Sequence, residues 1–238
     1  MSLIPDNLQA VHHSIVAAAR GVSRDPSGIS LLAVSKTFGP NDVLEAVQAG
    51  QKAFGENYLQ EALDKMTALR TAQPELRLEW HFIGPIQSNK TRPIAEHFDW
   101  VHSIEREKIA QRLSEQRPAH LPPLNVCLQI NISGEVSKSG TVPEQAEELA
   151  HAIARMPRLK LRGLMAIPEP GDTFEQQRVP FRQLHQLFDR LREQGLALDT
   201  LSMGMSADMA AAIAEGATMV RVGTAIFGKR DYAKGHGH

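Results

Sequence analysis

The chain has 238 residues, enough to bury a full core without disulfide or metal staples, and its 42% hydrophobic and 22% charged residues are the balance of a globular protein. A net charge of −1 excludes a basic nucleic-acid surface as the organising feature, and the single cysteine, Cys127, excludes an intrachain disulfide. The stretch "MSLIPDNLQAVHHSI" lacks a basic segment before an apolar core, and no run approaches membrane-spanning length. The expectation is a soluble, cytoplasmic protein with no nucleic-acid and no membrane partner.

Residues 4–20 form an amphipathic segment ahead of the first strand. Eight apolar segments then read as strands: 30–36 "SLLAVSK", 51–55 "QKAFG", 79–84 "EWHFIG", 100–104 "WVHSI", 124–132 "LNVCLQINI", 159–167 "LKLRGLMAI", 200–205 "TLSMGM" and 219–227 "MVRVGTAIF". Helical stripes separate them: Leu59, Leu63, Met66 and Leu69, then Ala146, Leu149, Ala150, Ile153 and Met156, then Leu184, Leu187, Phe188 and Leu191. Gly50 and Gly216 fall where helices end in glycine. No linker divides the chain, so residues 1–238 read as one α/β domain.

Eight strand–helix units predict a closed (β/α)8 TIM barrel. About ten residues follow strand eight, too few for a covering helix, so segment 4–20 is expected to take that place. An open doubly wound sheet is the alternative. It normally brings a Gly-rich turn after strand one, and "SKTFGPND" is not G-x-G-x-x-G.

In a barrel, chemistry collects where the strands end, and Lys36 ends strand one with the parity of Leu32 and Val34. If that face is the interior, its amine is partly desolvated, its pKa falls, and the neutral form can attack a carbonyl. The alternative is a lysine that snorkels to solvent. At the far end of the chain, "VRVGTAIFG" puts Arg221 and Gly223 on one face, followed by the hydroxyl of Thr224. "SMGMSADMAAAIAEG" puts Ser206 at the expected N-cap of a helix beginning near Ala207. The loops after strands seven and eight are common phosphate sites in barrels. An amine plus a phosphate cradle suggests a phosphorylated aldehyde.

The segments "LLAVSKT", "FGENYLQEA", "EWHFIGPIQSNK", "VHSIEREKIA", "INISGEVSKSG", "LRGLMAIP", "LSMGMSADMAAAI" and "VRVGTAIFG" together resemble the pyridoxal phosphate homeostasis proteins, the YggS/PROSC family. The resemblance runs from about residue 30 to about residue 230. It implies a fold type III pyridoxal-phosphate barrel related to the N-terminal domain of alanine racemase, holding the cofactor as an internal aldimine. Lys36 matches the lysine of that linkage. Ser206, Gly223 and Thr224 match its phosphate-binding positions, Arg221 the arginine facing the pyridine nitrogen, and Asn57 a residue lining the same mouth. A guanidinium beside the ring nitrogen disfavours its protonation and weakens the ring as an electron sink.

The resemblance implies a cofactor carrier, expected to be monomeric, that buffers or delivers pyridoxal 5′-phosphate and touches pyridoxal-phosphate-dependent apo-enzymes transiently. It implies no catalytic residue and no metal. Two alternatives remain: a low-activity amino-acid racemase or related enzyme using Lys36 with Tyr58, and a Schiff-base aldolase. A racemase needs an acid/base on each face of the substrate carbon. In alanine racemases the second is a tyrosine from a β-rich domain, expected to be absent here. Tyr232, His236 and His238 fall in the tail. His81 and His102 read as hydrogen-bonded core histidines. Residues 133–141 read as a candidate lid carrying Lys138 as a second amine, or as a plain solvated loop. Lys90 and Arg92 share that ambiguity.

Overall fold

The computed structural model describes residues 3–134 and 139–229. Eight parallel strands follow one another in chain order round a closed barrel: β1 (Ser30–Val34), β2 (Ala53–Glu56), β3 (Glu79–Phe82), β4 (Trp100–Ile104), β5 (Leu124–Gln129), β6 (Leu159–Met165), β7 (Thr200–Ser202) and β8 (Met219–Val222). β8 closes on β1 with Leu32 beside Arg221, which sets aside the open sheet. The helices are α1 (Ile4–Gly21), α2 (Pro40–Gln48), α3 (Leu59–Ala72), α4 (Thr91–His97), α5 (Glu107–Gln116), α6 (Pro143–Ala154), α7 (Phe174–Glu193), α8 (Met209–Ala214) and α9 (Thr224–Phe227).

Each expected strand exists, only 100–104 keeps both of its ends, and two of the corrections shape the mouth. The segment 219–227 is not one strand: β8 stops at Val222, and Thr224–Phe227 curl into the single turn of α9. The segment 200–205 stops at Ser202, because Gly204 turns the chain away with φ +93. A Cβ there would lie 2.5 Å from the Ala212 side chain, so both the conformation and the packing call for glycine. Gly50 and Gly216, with φ +97 and +99, follow α2 and α8 as anticipated.

α1 fills the gap left by the short α9. Its buried Leu8, Val11, Ile15 and Ala19 recur at helical spacing, and it packs on α2, α8 and α9. Asn7 Nδ2 pins it by donating to Ile226 O at 2.9 Å. Burying Leu8 and Ile15 contributes about 1.5–3 kcal/mol each.

Alternation along the strands makes two compartments. Leu31, Ala33, Phe54, Val101, Val126 and Val220 face the helices and join one large apolar core. Leu32, Gly55, His81, His102, Ser202 and Arg221 face the barrel lumen. There Trp100, Cys127 and Met165 form a separate small apolar cluster. Burial pushes the Cys127 thiol up to about 12, so it acts as inert packing. Among the described residues, no helix is long and apolar enough to cross a membrane.

Candidate functional site

At the strands' C-terminal ends lies a cavity of about 320 Å³. Its lining brings together Lys36, Asn57, Ser206, Arg221, Gly223 and Thr224, all six candidate residues, from both ends of the chain. The apolar side chains of Val34, Phe38, Ile83, Ile167, Met205 and Ala207 complete it, and among the described residues no acidic side chain lines it. Lys36 lies two residues past the end of β1 and is half-buried, on the face of Leu32 and Val34 that forms the lumen. Gly223 permits close approach at the β1–β8 seam, since a Cβ there would sit 3.1 Å from Val34 O. Asn57 enters with a buried Oδ1 that has no hydrogen-bond partner.

Ser206 is at the cavity but is not a helix N-cap. α8 begins at Met209 with Asp208 in the cap position, and Ser206 lies in the turn before it. That turn closes on itself: Met205 N–H donates to Asp208 Oδ1 at 2.6 Å, and Asp208 N–H donates to Met205 O at 3.2 Å. The Asp208 carboxylate, reaching back three residues to the Met205 N–H, holds this turn ahead of the helix.

Arg221 is the most constrained member. It is 4% exposed, and burial lowers its pKa to about 10, which leaves it charged at neutral pH. Nη1 donates to Ser202 Oγ at 2.8 Å and Nη2 to Ala166 O at 3.0 Å.

Sequence reading missed the support beneath Lys36. Glu56, at the end of β2, is buried among the helices and accepts from Ser35 Oγ at 2.6 Å and from Lys65 Nζ at 2.5 Å. Lys65, on α3 and also buried, donates to Ser35 O at 2.8 Å, and Glu61 accepts the Thr37 N–H at 2.6 Å. Ser35 and Thr37, the residues either side of Lys36, are therefore both tied to polar groups from β2 and α3. Thr37 takes φ +69 inside this clamp. Burial raises the Glu56 pKa, against the pull of Lys65 and Ser35. The available signal was Glu61 and Lys65 at i,i+4 with a glutamate inside a strand.

The remaining candidates separate from the cavity. Tyr58 is 52% exposed and does not line it. Lys90 is exposed in the 3₁₀ turn Ser88–Lys90, and exposed Arg92 lies 3.9 Å from Glu96. His81 and His102 are fully buried, hydrogen-bonded lumen residues, as expected. Residues 135–138 of the candidate lid, Lys138 among them, like Tyr232, His236 and His238, lie outside the described residues.

The alanine racemase N-terminal domain family matches residues 7–231. The pyridoxal phosphate homeostasis protein of Pseudomonas aeruginosa is 60% identical over 98% of both chains, and that of Escherichia coli K12 is 55% identical over 98% of this chain and all of that one. The chain belongs to the pyridoxal phosphate homeostasis protein family. Among solved structures, PipY of Synechococcus elongatus, described as having pyridoxal phosphate bound, aligns with a TM-score of 0.80 at 35% identity, covering 94% of this chain and 99% of that one. Alanine racemase from Corynebacterium glutamicum, at 19% identity and a TM-score of 0.65, shares the fold over 97% of this chain and 64% of its own.

Proposed function

We propose that this chain, as a single barrel domain, holds pyridoxal 5′-phosphate at the barrel mouth, bonded through Lys36, and buffers or delivers it without turnover of its own. The observation that carries the reading is the cavity lining: an amine and a guanidinium with two hydroxyls, no carboxylate, and apolar walls. A phosphorylated aromatic aldehyde matches each part. When bound, the cofactor supplies an aldehyde that condenses with an amine, releasing water, and a ring that accepts electron density.

Lys36 Nζ is the group that bonds the aldehyde carbon. Ser206, Gly223 and Thr224 would hold the phosphate and Arg221 would face the ring nitrogen, with Asn57 lining the mouth. A buried guanidinium there disfavours a protonated ring, which holds the cofactor without arranging it for carbanion chemistry. Lys36 and Arg221 are also the only titratable side chains among the described lining residues, and these supply no second acid/base for the opposite face of a substrate carbon. The names of the relatives support a homeostasis role, for which a monomer in brief contact with apo-enzymes would suffice.

Borohydride reduction of the cofactor-loaded protein should fix a pyridoxyl phosphate on the peptide carrying Lys36, read by mass spectrometry, and Lys36→Ala should abolish it. Label on another lysine would overturn the linkage. Incubation with amino acids in deuterated water should show no α-hydrogen exchange above the Lys36→Ala control. Rapid exchange for one amino acid would instead make the protein an enzyme. An aldolase would be trapped by borohydride only with a sugar substrate present.

A further inference from the structure

The lumen beneath Arg221 is polar where barrel interiors are normally filled with branched apolar residues. Arg221 Nη1 lies 2.8 Å from Ser202 Oγ, Ser202 Oγ lies 2.8 Å from His102 Nδ1, and His102 Nε2 lies 2.8 Å from His81 Nδ1. His81 Nε2 lies 2.8 Å from Glu79 Oε1. β4 and β7 are not neighbours in the sheet, so the His102–Ser202 bond crosses the lumen. Glu79 opens β3, at the end of the barrel opposite the mouth, with its side chain half exposed. The chain of bonds therefore runs the height of the barrel.

Its direction follows from its ends. The Glu79 carboxylate only accepts and the Arg221 guanidinium only donates. His81 must therefore carry its proton on Nε2 and present a bare Nδ1, which obliges His102 to donate from its own Nε2. His102 Nδ1 is then bare and accepts a hydrogen bond from the Ser202 hydroxyl, leaving the Ser202 oxygen to accept from Arg221. Each inner member has one donor and one acceptor in use. Burial holds both imidazoles below their ordinary range, with Arg221 and His81 adding to the effect on His102, so both are neutral. Among the described bonds and ion pairs Arg221 has no carboxylate partner, and Asp208 acts on it through space.

We infer that Glu79 is a positioning residue for Arg221, acting through a one-directional hydrogen-bond chain of His81, His102 and Ser202. A carboxylate that acts from the far end of the barrel stays out of the mouth, where it would repel a phosphate. His81 is further held by stacking on Trp100, ring centroids 5.3 Å apart. The functional half of the inference rests on the proposed pyridoxal phosphate site; the proton arrangement does not.

The test uses the full chain with ¹⁵N-labelled histidine. Without cofactor, both imidazoles should be neutral and protonated on Nε2 between about pH 6 and 8, across the range where free imidazole titrates. A proton on Nδ1 of either ring would overturn the chain. Pyridoxal phosphate affinity, followed by absorbance, should weaken about tenfold in Ser202→Ala, the size of one hydrogen bond to a charged group. Glu79→Gln, at a half-exposed site that should not disturb folding, should weaken it about threefold, and the double variant no more than Ser202→Ala alone. An unchanged affinity in Glu79→Gln, or losses that multiply in the double variant, would overturn the role of Glu79. Wild-type protein that fails to bind pyridoxal phosphate would instead sink the proposed function, with the histidine spectra still deciding the chain.

Discussion

The two faces of the same eight strands behave as two solvents. Toward the helices, Leu31, Ala33 and Phe54 meet an apolar layer in which volume and shape are what matter. Toward the lumen, His81, His102, Ser202 and Arg221 form bonds whose donors and acceptors are matched one for one. The outer layer gains its stability from area removed from water, and a lost methylene there costs a roughly known amount. The inner layer gains little net stability from its bonds, but leaving one of its groups unpaired is expensive. The lumen therefore specifies placement at the mouth, while the outer layer holds the barrel together.

Phe54→Ala tests the outer layer most severely. The ring is fully buried and packs at 5.7 Å from that of Trp80, so its loss should cost about 3–5 kcal/mol in urea unfolding. Pyridoxal phosphate affinity in the folded protein should hardly change. A large affinity loss without destabilisation would reverse the division of labour.

The Glu56–Lys65 pair is a polar exception within that outer layer, and it sharpens the comparison. Lys65→Met leaves Glu56 buried without its cation and should cost about 3–5 kcal/mol, whereas Glu56→Leu with Lys65→Met should recover most of it. The double variant should still hold the cofactor less well, because Ser35 loses both of its side-chain ties beneath Lys36. Full affinity in the double variant would show that the clamp serves only stability.

The smallest effect is the pH dependence of the lumen. His81 and His102 have folded pKa values below their ordinary 6.5, so the unfolded chain binds protons that the folded one refuses. Their contribution is present above pH 6.5 and is lost as pH falls from there toward the folded values, by at most about 1.4 kcal/mol per pH unit for each histidine. Thermal midpoints should fall from about pH 7 to about pH 5.5, a range above that in which the depressed carboxylates Glu79, Asp199 and Glu215 begin to protonate. Burial raises the Glu56 and Asp99 carboxyls, which opposes this fall, so a flat profile would mean that the two imidazoles are not depressed strongly enough to outweigh them.

The sequence by itself determined the strand order, the closed barrel, the covering role of α1 and the residues of the mouth. These follow from period-2 and period-3.6 patterning and from residue types with few structural uses, such as an amine ending a buried strand. Sequence also carried the family resemblance. The ends of β7 and β8 were less legible: "TLSMGM" and "MVRVGTAIF" read as whole strands, and only the Gly204 turn ends β7, while β8 ends where the Ile226 and Phe227 N–H groups donate to Gly223 O in α9. Tertiary structure alone decided which carboxylates serve which cations. Glu56 meets Lys65 beneath Lys36, and the bonds from Glu79 to Arg221 run through residues of three strands, β3, β4 and β7. Periodicity records which face a residue takes, but a hydrogen bond across a lumen joins positions as far apart as His102 and Ser202, and such a pairing leaves no local pattern to read.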